Sequence, residues 1–99
     1  MEAEKNIKSL IEYPKDGVIS KVLSKDKINT TLFCMAGGTD IGEHTSTKQG
    51  VIYVIEGNGE FILEGKKIKM EEGKMIFMKE NAKHSINAEE NTSFLLLLA

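Results

Sequence analysis

At 99 residues and 11.0 kDa the chain is sized for one hydrophobic core, so a single domain over residues 1–99 is expected. Its 13 cations are all lysine, set against 15 carboxylates, for a net charge of -2 and a pI near 5.7. Without arginine's forked grip on phosphate and its stacking on bases, nucleic acid is not an expected partner.

Residues 1–20 are broken by charges every few positions and offer neither a signal-peptide core nor a membrane span. No membrane contact is expected, and the lone Cys34, unable to form an internal disulfide, fits a reducing cytoplasm. From Glu2 to Tyr13 the apolar residues Ile7, Leu10 and Ile11 fall at helical spacing, and Pro14 closes the segment, predicting a short amino-terminal helix. After Lys15-Asp16-Gly17 the period changes to alternation, with glycine or polar clusters every eight to ten residues.

Strands are predicted at 18–24, 28–35, 41–45, 51–55, 60–63, 67–70, 75–78, 84–87 and 93–98. Their short connections favour antiparallel neighbours, and about nine short strands bury both halves of an alternating pattern most economically as a closed barrel or a double-sheet jelly roll. The fold class is therefore all-β. Gly57-Asn58-Gly59 is read as a hairpin turn, and Lys66-Lys67-Ile68-Lys69 as a solvated strand face opposed by glutamates. The run Phe94 to Leu98 does not alternate, so both its faces should be covered, one by the barrel and the other by the amino-terminal helix or a second subunit. That second possibility points to a homodimer.

Only His44 and His84 can supply imidazole, the commonest metal-ligating side chain and the one that titrates near neutrality. Gly38 precedes His44 by five intervening residues, and Gly57 follows the strand Val51 to Ile55. Further on, Gly73 leads into Met75 to Met78, a polar loop and then His84. This pattern resembles the two motifs of the cupin superfamily, G-x5-H-x-H-x3-4-E-x6-G and G-x5-P-x-G-x2-H-x3-N, over about 38–57 and 73–88. The resemblance implies a cupin-type jelly-roll β-barrel with a short amino-terminal helix.

Residue by residue, the match keeps His44 and His84 but places Ser46 at the second histidine and Gly50 at the glutamate. In the second motif Lys79, Asn81 and Ala88 stand where the proline, glycine and asparagine belong. Two of four metal ligands therefore remain. Ser46, by strand parity with His44, and Gln49, if a bulge near Lys48-Gln49 turned it inward, are the available substitutes. If Gly50 faces the interior, so do Ile52 and Val54, and Gly50 should leave an opening where the carboxylate would stand. The inward pair of the preceding strand is either Phe33 and Met35 or Leu32 and Cys34. Met70, Met75 and Met78 are read as core fillers and Cys34 as an inert buried thiol.

With these residues, the resemblance implies a barrel that binds a small, weakly charged molecule, with His44 and His84 converging as polar anchors or as ligands of a divalent metal (Zn, Ni, Mn, Fe or Cu). The alternatives are a metal-dependent enzyme of oxygenase, isomerase or decarboxylase type and a non-catalytic structural or regulatory homodimer. No catalytic residue is assigned.

Overall fold

The computed structural model describes residues 3–99, so the predicted helix start at Glu2 lies outside the described residues. A single turn of helix, α1 (Ile7–Leu10), is followed by nine strands: β1 (Val18–Lys25), β2 (Asn29–Met35), β3 (Asp40–His44), β4 (Gly50–Glu56), β5 (Asn58–Leu63), β6 (Lys66–Glu71), β7 (Met75–Met78), β8 (His84–Ala88) and β9 (Thr92–Leu98). Every predicted strand is present. The helix is shorter than predicted, because Ile11 is already extended and the Asn6 side chain caps nothing. Four residues give too few internal hydrogen bonds to sustain more without packing support.

The strands form two sheets, β1-β2-β9-β4-β7 and β3-β8-β5-β6, with every pairing antiparallel. Among the described residues, β1–β2 and β5–β6 are the hairpins between neighbours in one sheet, and the other connections cross to the opposite sheet. This is the double-sheet jelly roll expected of an all-β chain. The Gly57 region is accordingly not a hairpin turn, since β4 and β5 lie in different sheets. It is a corner. Gly57 takes φ 117°, and a Cβ there would stand 2.5 Å from Thr92 Cα, so both backbone angle and close approach require glycine. Thr92 secures the corner by accepting from the Asn58 amide at 3.1 Å and donating to the Glu90 carbonyl at 2.8 Å.

Register fixes which side chains enter the space between the sheets. Gly50, Ile52 and Val54 are buried on the inner face of β4, as parity requires. On β2, Phe33 and Met35 join the central cluster with Phe61, Met70, Ile76, Met78, Ile86 and Phe94, which resolves the two choices for that strand. Leu32 and Cys34 are nonetheless fully buried on the outer face. Cover there comes from the amino-terminal segment: Lys21 Nζ donates to the Leu10 carbonyl at 2.9 Å, and the Tyr13 hydroxyl donates to Glu56 at 2.7 Å. Burial pushes the Tyr13 hydroxyl up to about 12; the facing Ser93 hydroxyl partly offsets the rise, while Glu56 adds to it.

The apolar run of β9 thus lies in the middle of its sheet, between β2 and β4, with both faces at least partly covered. Met70 and Met78 fill the core as expected, whereas Met75 is 51% exposed because it sits on the outer face of the edge strand β7. Phe77, two residues on, shares that face and is 67% exposed.

Candidate functional site

His84 opens β8, an interior strand of the four-stranded sheet, and is buried; His44 ends β3, the edge strand beside it, and is exposed. The two are direct partners across the ladder, and their rings meet edge to face with centroids 4.1 Å apart. The convergence that the family resemblance implies is realised. It depends on an irregularity: Ile41 pairs with Ile86 and His44 with His84, so three steps on β3 oppose two on β8. Simple alternation would send Ile41 and His44 to opposite faces, and the extra residue in Gly42-Glu43 brings both to the same cavity. Gly42, a glycine inside a strand, was the sequence sign of it.

Each ring is fixed by the carbonyl two residues earlier. His84 Nδ1 lies 2.9 Å from the Ala82 oxygen, and His44 Nδ1 lies 2.7 Å from the Gly42 oxygen. A carbonyl only accepts, so each Nδ1 carries the proton and each Nε2 is left as a bare acceptor in the neutral ring. The His84 ring also stacks on Phe61, centroids 5.7 Å apart and planes within 16°. Burial lowers the pKa of His84; the Ala82 hydrogen bond opposes this, and His44 reinforces it. Near neutral pH this imidazole is therefore uncharged.

Around the pair lies a cavity of about 60 Å³, walled by Phe33, Ile41, Ile52, Ile86, Phe94 and Leu96. Phe33 and Phe94 stack at 5.1 Å, forming a flat apolar floor. Sequence reasoning named the two polar residues but assigned neither Ile41 nor Phe94 to this wall, because contacts between sheets depend on which strands face each other. Larger grooves exist on the surface, one of about 570 Å³ beside Gly50, Phe77 and Leu97, yet they hold neither histidine.

Neither of the two proposed substitute ligands lines the histidine cavity. Ser46 lies in the loop beyond β3, where strand parity no longer applies, and its Oγ accepts from the Lys48 amide at 3.2 Å. Gln49 is exposed and lines the outer groove with Lys79 and Ala99 rather than the histidine cavity. The bulge falls at Gly42-Glu43, not near Lys48-Gln49. Nor does Gly50 leave an opening: a Cβ there would meet Leu98 Cδ2 at 2.8 Å, the Leu97 oxygen at 3.1 Å and Met78 Cε at 3.2 Å. Aliphatic side chains fill the space of the absent carboxylate. Among the described residues no group of three or more His, Cys, Asp and Glu side chains is gathered as a metal would need. Two imidazoles with these surroundings do not fit a self-sufficient divalent-metal site.

A family model described as "Cupin domain" matches residues 31–99. Comparison with curated proteins finds no match. Among solved structures, a conserved protein of unknown function from Streptococcus pyogenes is similar with TM-score 0.89 and 22% identity, over 100% of this chain and 89% of that one. A cupin 2 conserved barrel domain protein from Leptotrichia buccalis gives TM-score 0.89 and 26% identity over 96% of this chain and 47% of that one. A salicylate 1,2-dioxygenase variant from Pseudoaminobacter salicylatoxidans gives TM-score 0.78 and 19% identity, over 83% of this chain but only 26% of the dioxygenase.

Proposed function

The chain belongs to the cupin domain family, and on that premise we propose that it binds a small, weakly charged molecule between its two sheets, anchored by His44 and His84 without a bound metal. The observation that carries this reading is the paired rings, each with Nδ1 committed to a carbonyl, at the mouth of an otherwise apolar cavity. Cupins often bind metals, but here the two further ligand positions are a serine engaged with its own loop and a glycine backed by Leu98 and Met78.

Metal analysis of tag-free protein grown in metal-replete medium tests this directly. The expected result is substoichiometric metal that does not change in His44→Ala or His84→Ala. Stoichiometric metal lost in both variants would overturn the metal-free reading and favour the metal-dependent enzyme, for which the carbonyl-held rings are the supporting feature, since metal-binding imidazoles are commonly oriented in this way.

A second reading, self-association, rests on a different observation. On the outer face of the five-stranded sheet, Tyr53, Met75 and Phe77 are exposed beside the half-buried Val51, Leu95 and Leu97. Contiguous apolar surface of this kind marks an interaction face. The proposed homodimer would use it, and the solution mass of wild type against Phe77→Lys is the measurement: a dimer converted to monomer is expected, and a wild-type monomer at high concentration would remove the idea. Removing residues 95–99 would not be informative, because β9 is a central strand.

A further inference from the structure

We infer that the ligand of the His44–His84 cavity is a neutral hydrogen-bond donor, a hydroxyl- or amide-bearing molecule whose compact donor head enters between the sheets while its larger part stays at the mouth. The inference rests on the proposed function and names the chemical class that the site would select.

Three observations support it. First, both Nδ1 atoms face carbonyl oxygens at 2.7 and 2.9 Å, so the nitrogen each ring leaves for a guest is Nε2, an acceptor in the uncharged form that burial favours at His84. Two adjacent acceptors select a molecule that brings protons, and they repel a carboxylate or phosphate oxygen. Second, every other wall residue (Phe33, Ile41, Ile52, Ile86, Phe94 and Leu96) is apolar, so no cation or amide donor within the cavity would compensate an anion. An ammonium head would satisfy the acceptors but carry an unbalanced charge, since among the described residues no carboxylate lines the cavity, so a neutral donor matches the site better. Third, about 60 Å³ is roughly the room of two waters and far below the roughly 300 Å³ at which pockets enclose whole ligands. Only a head group fits, and exposed His44 beside buried His84 sets the direction of entry.

The test uses three probes with one common ring: benzyl alcohol, toluene and benzoate. Long-range proton–nitrogen correlation spectra of the imidazoles first report the tautomers, with protonated Nδ1 and bare Nε2 expected in both residues; a protonated Nε2 on both would overturn the inference. Titrations followed on cavity-lining Ile and Phe resonances should then show benzyl alcohol binding at least tenfold more tightly than toluene, with the His84 Nε2 resonance moving, and benzoate not competing. Equal binding of toluene, or tighter binding of benzoate, would overturn the donor selection while leaving the cavity as a ligand site. No response of the cavity resonances to any probe would overturn the proposed function itself. In His84→Phe, which keeps a ring but removes the acceptor, the preference for benzyl alcohol over toluene should vanish. Should that variant fail to fold, the exposed His44→Phe is expected to reduce the same preference, and an unchanged preference there would count against a two-acceptor site.

Discussion

Two neighbouring stretches of the interior contrast in how they meet the family pattern. Around Gly50 the polar position is gone, and Leu98 and Met78 close over the glycine so tightly that even a Cβ would meet them at 2.8 and 3.2 Å. Two residues further along β4, Ile52 borders a cavity where both surviving imidazoles keep a defined orientation. At Gly50 neighbouring aliphatic side chains occupy the space, whereas each imidazole has its Nδ1 tied to a backbone carbonyl and is oriented by the fold itself. The result is an apolar cavity bordered by two oriented imidazoles.

The sharpest challenge to this contrast is Gly50→Glu. If the space is filled, a carboxylate there must displace Leu98 and Met78 and stay without a partner, at an expected cost of about 3–5 kcal/mol in urea unfolding. Adding Leu98→Ala should then recover part of that loss, and wild-type stability in the single variant would show that the slot was open after all. Smaller effects are expected at the other stretch. His84→Phe leaves the Ala82 carbonyl buried without its donor, worth about 1–3 kcal/mol, whereas exposed His44→Phe should change stability by less than about 0.5 kcal/mol. Comparable losses at both positions would deny the difference between interior and edge strand.

A still smaller effect separates the two by pH. The folded-state pKa of His84 lies below its unfolded value near 6.5, so the unfolded chain takes up a proton first. Its contribution to stability is present above that unfolded value and is lost as pH falls through the lowered folded one. Denaturant midpoints between pH 7.5 and pH 5 should accordingly decline more in wild type than in His84→Gln. Parallel declines would assign the pH dependence to other groups.

Much of this could be read before any coordinates. The alternation of apolar residues and the spacing of glycines located all nine strands, since the period of two and the turn residues are local properties. The family resemblance likewise implied that His44 and His84 would meet, although they are 40 positions apart in the chain. Where the reading failed, a neighbour from elsewhere in the chain was responsible. Gly57 resembled a hairpin residue because its positive φ is local, while the crossing to the second sheet is decided by Thr92 and Asn58. Met75 reads as a core residue because methionine is apolar, and its exposure follows from its place on the outer face of the edge strand β7, where Ile76 and Met78 take the inner one.

The one-letter string by itself determined the all-β class, the strand positions, the family resemblance and the loss of two ligand types at positions 46 and 50. Only the tertiary structure decided what took their place: that Leu98 and Met78 fill the space at Gly50, that a bulge at Gly42-Glu43 turns His44 toward His84, and that Gly42 and Ala82 carbonyls fix which nitrogen of each ring is free. Composition and period act through neighbours along the chain, whereas cavity shape and tautomer depend on groups that only the packing of two sheets brings within a few ångströms of one another.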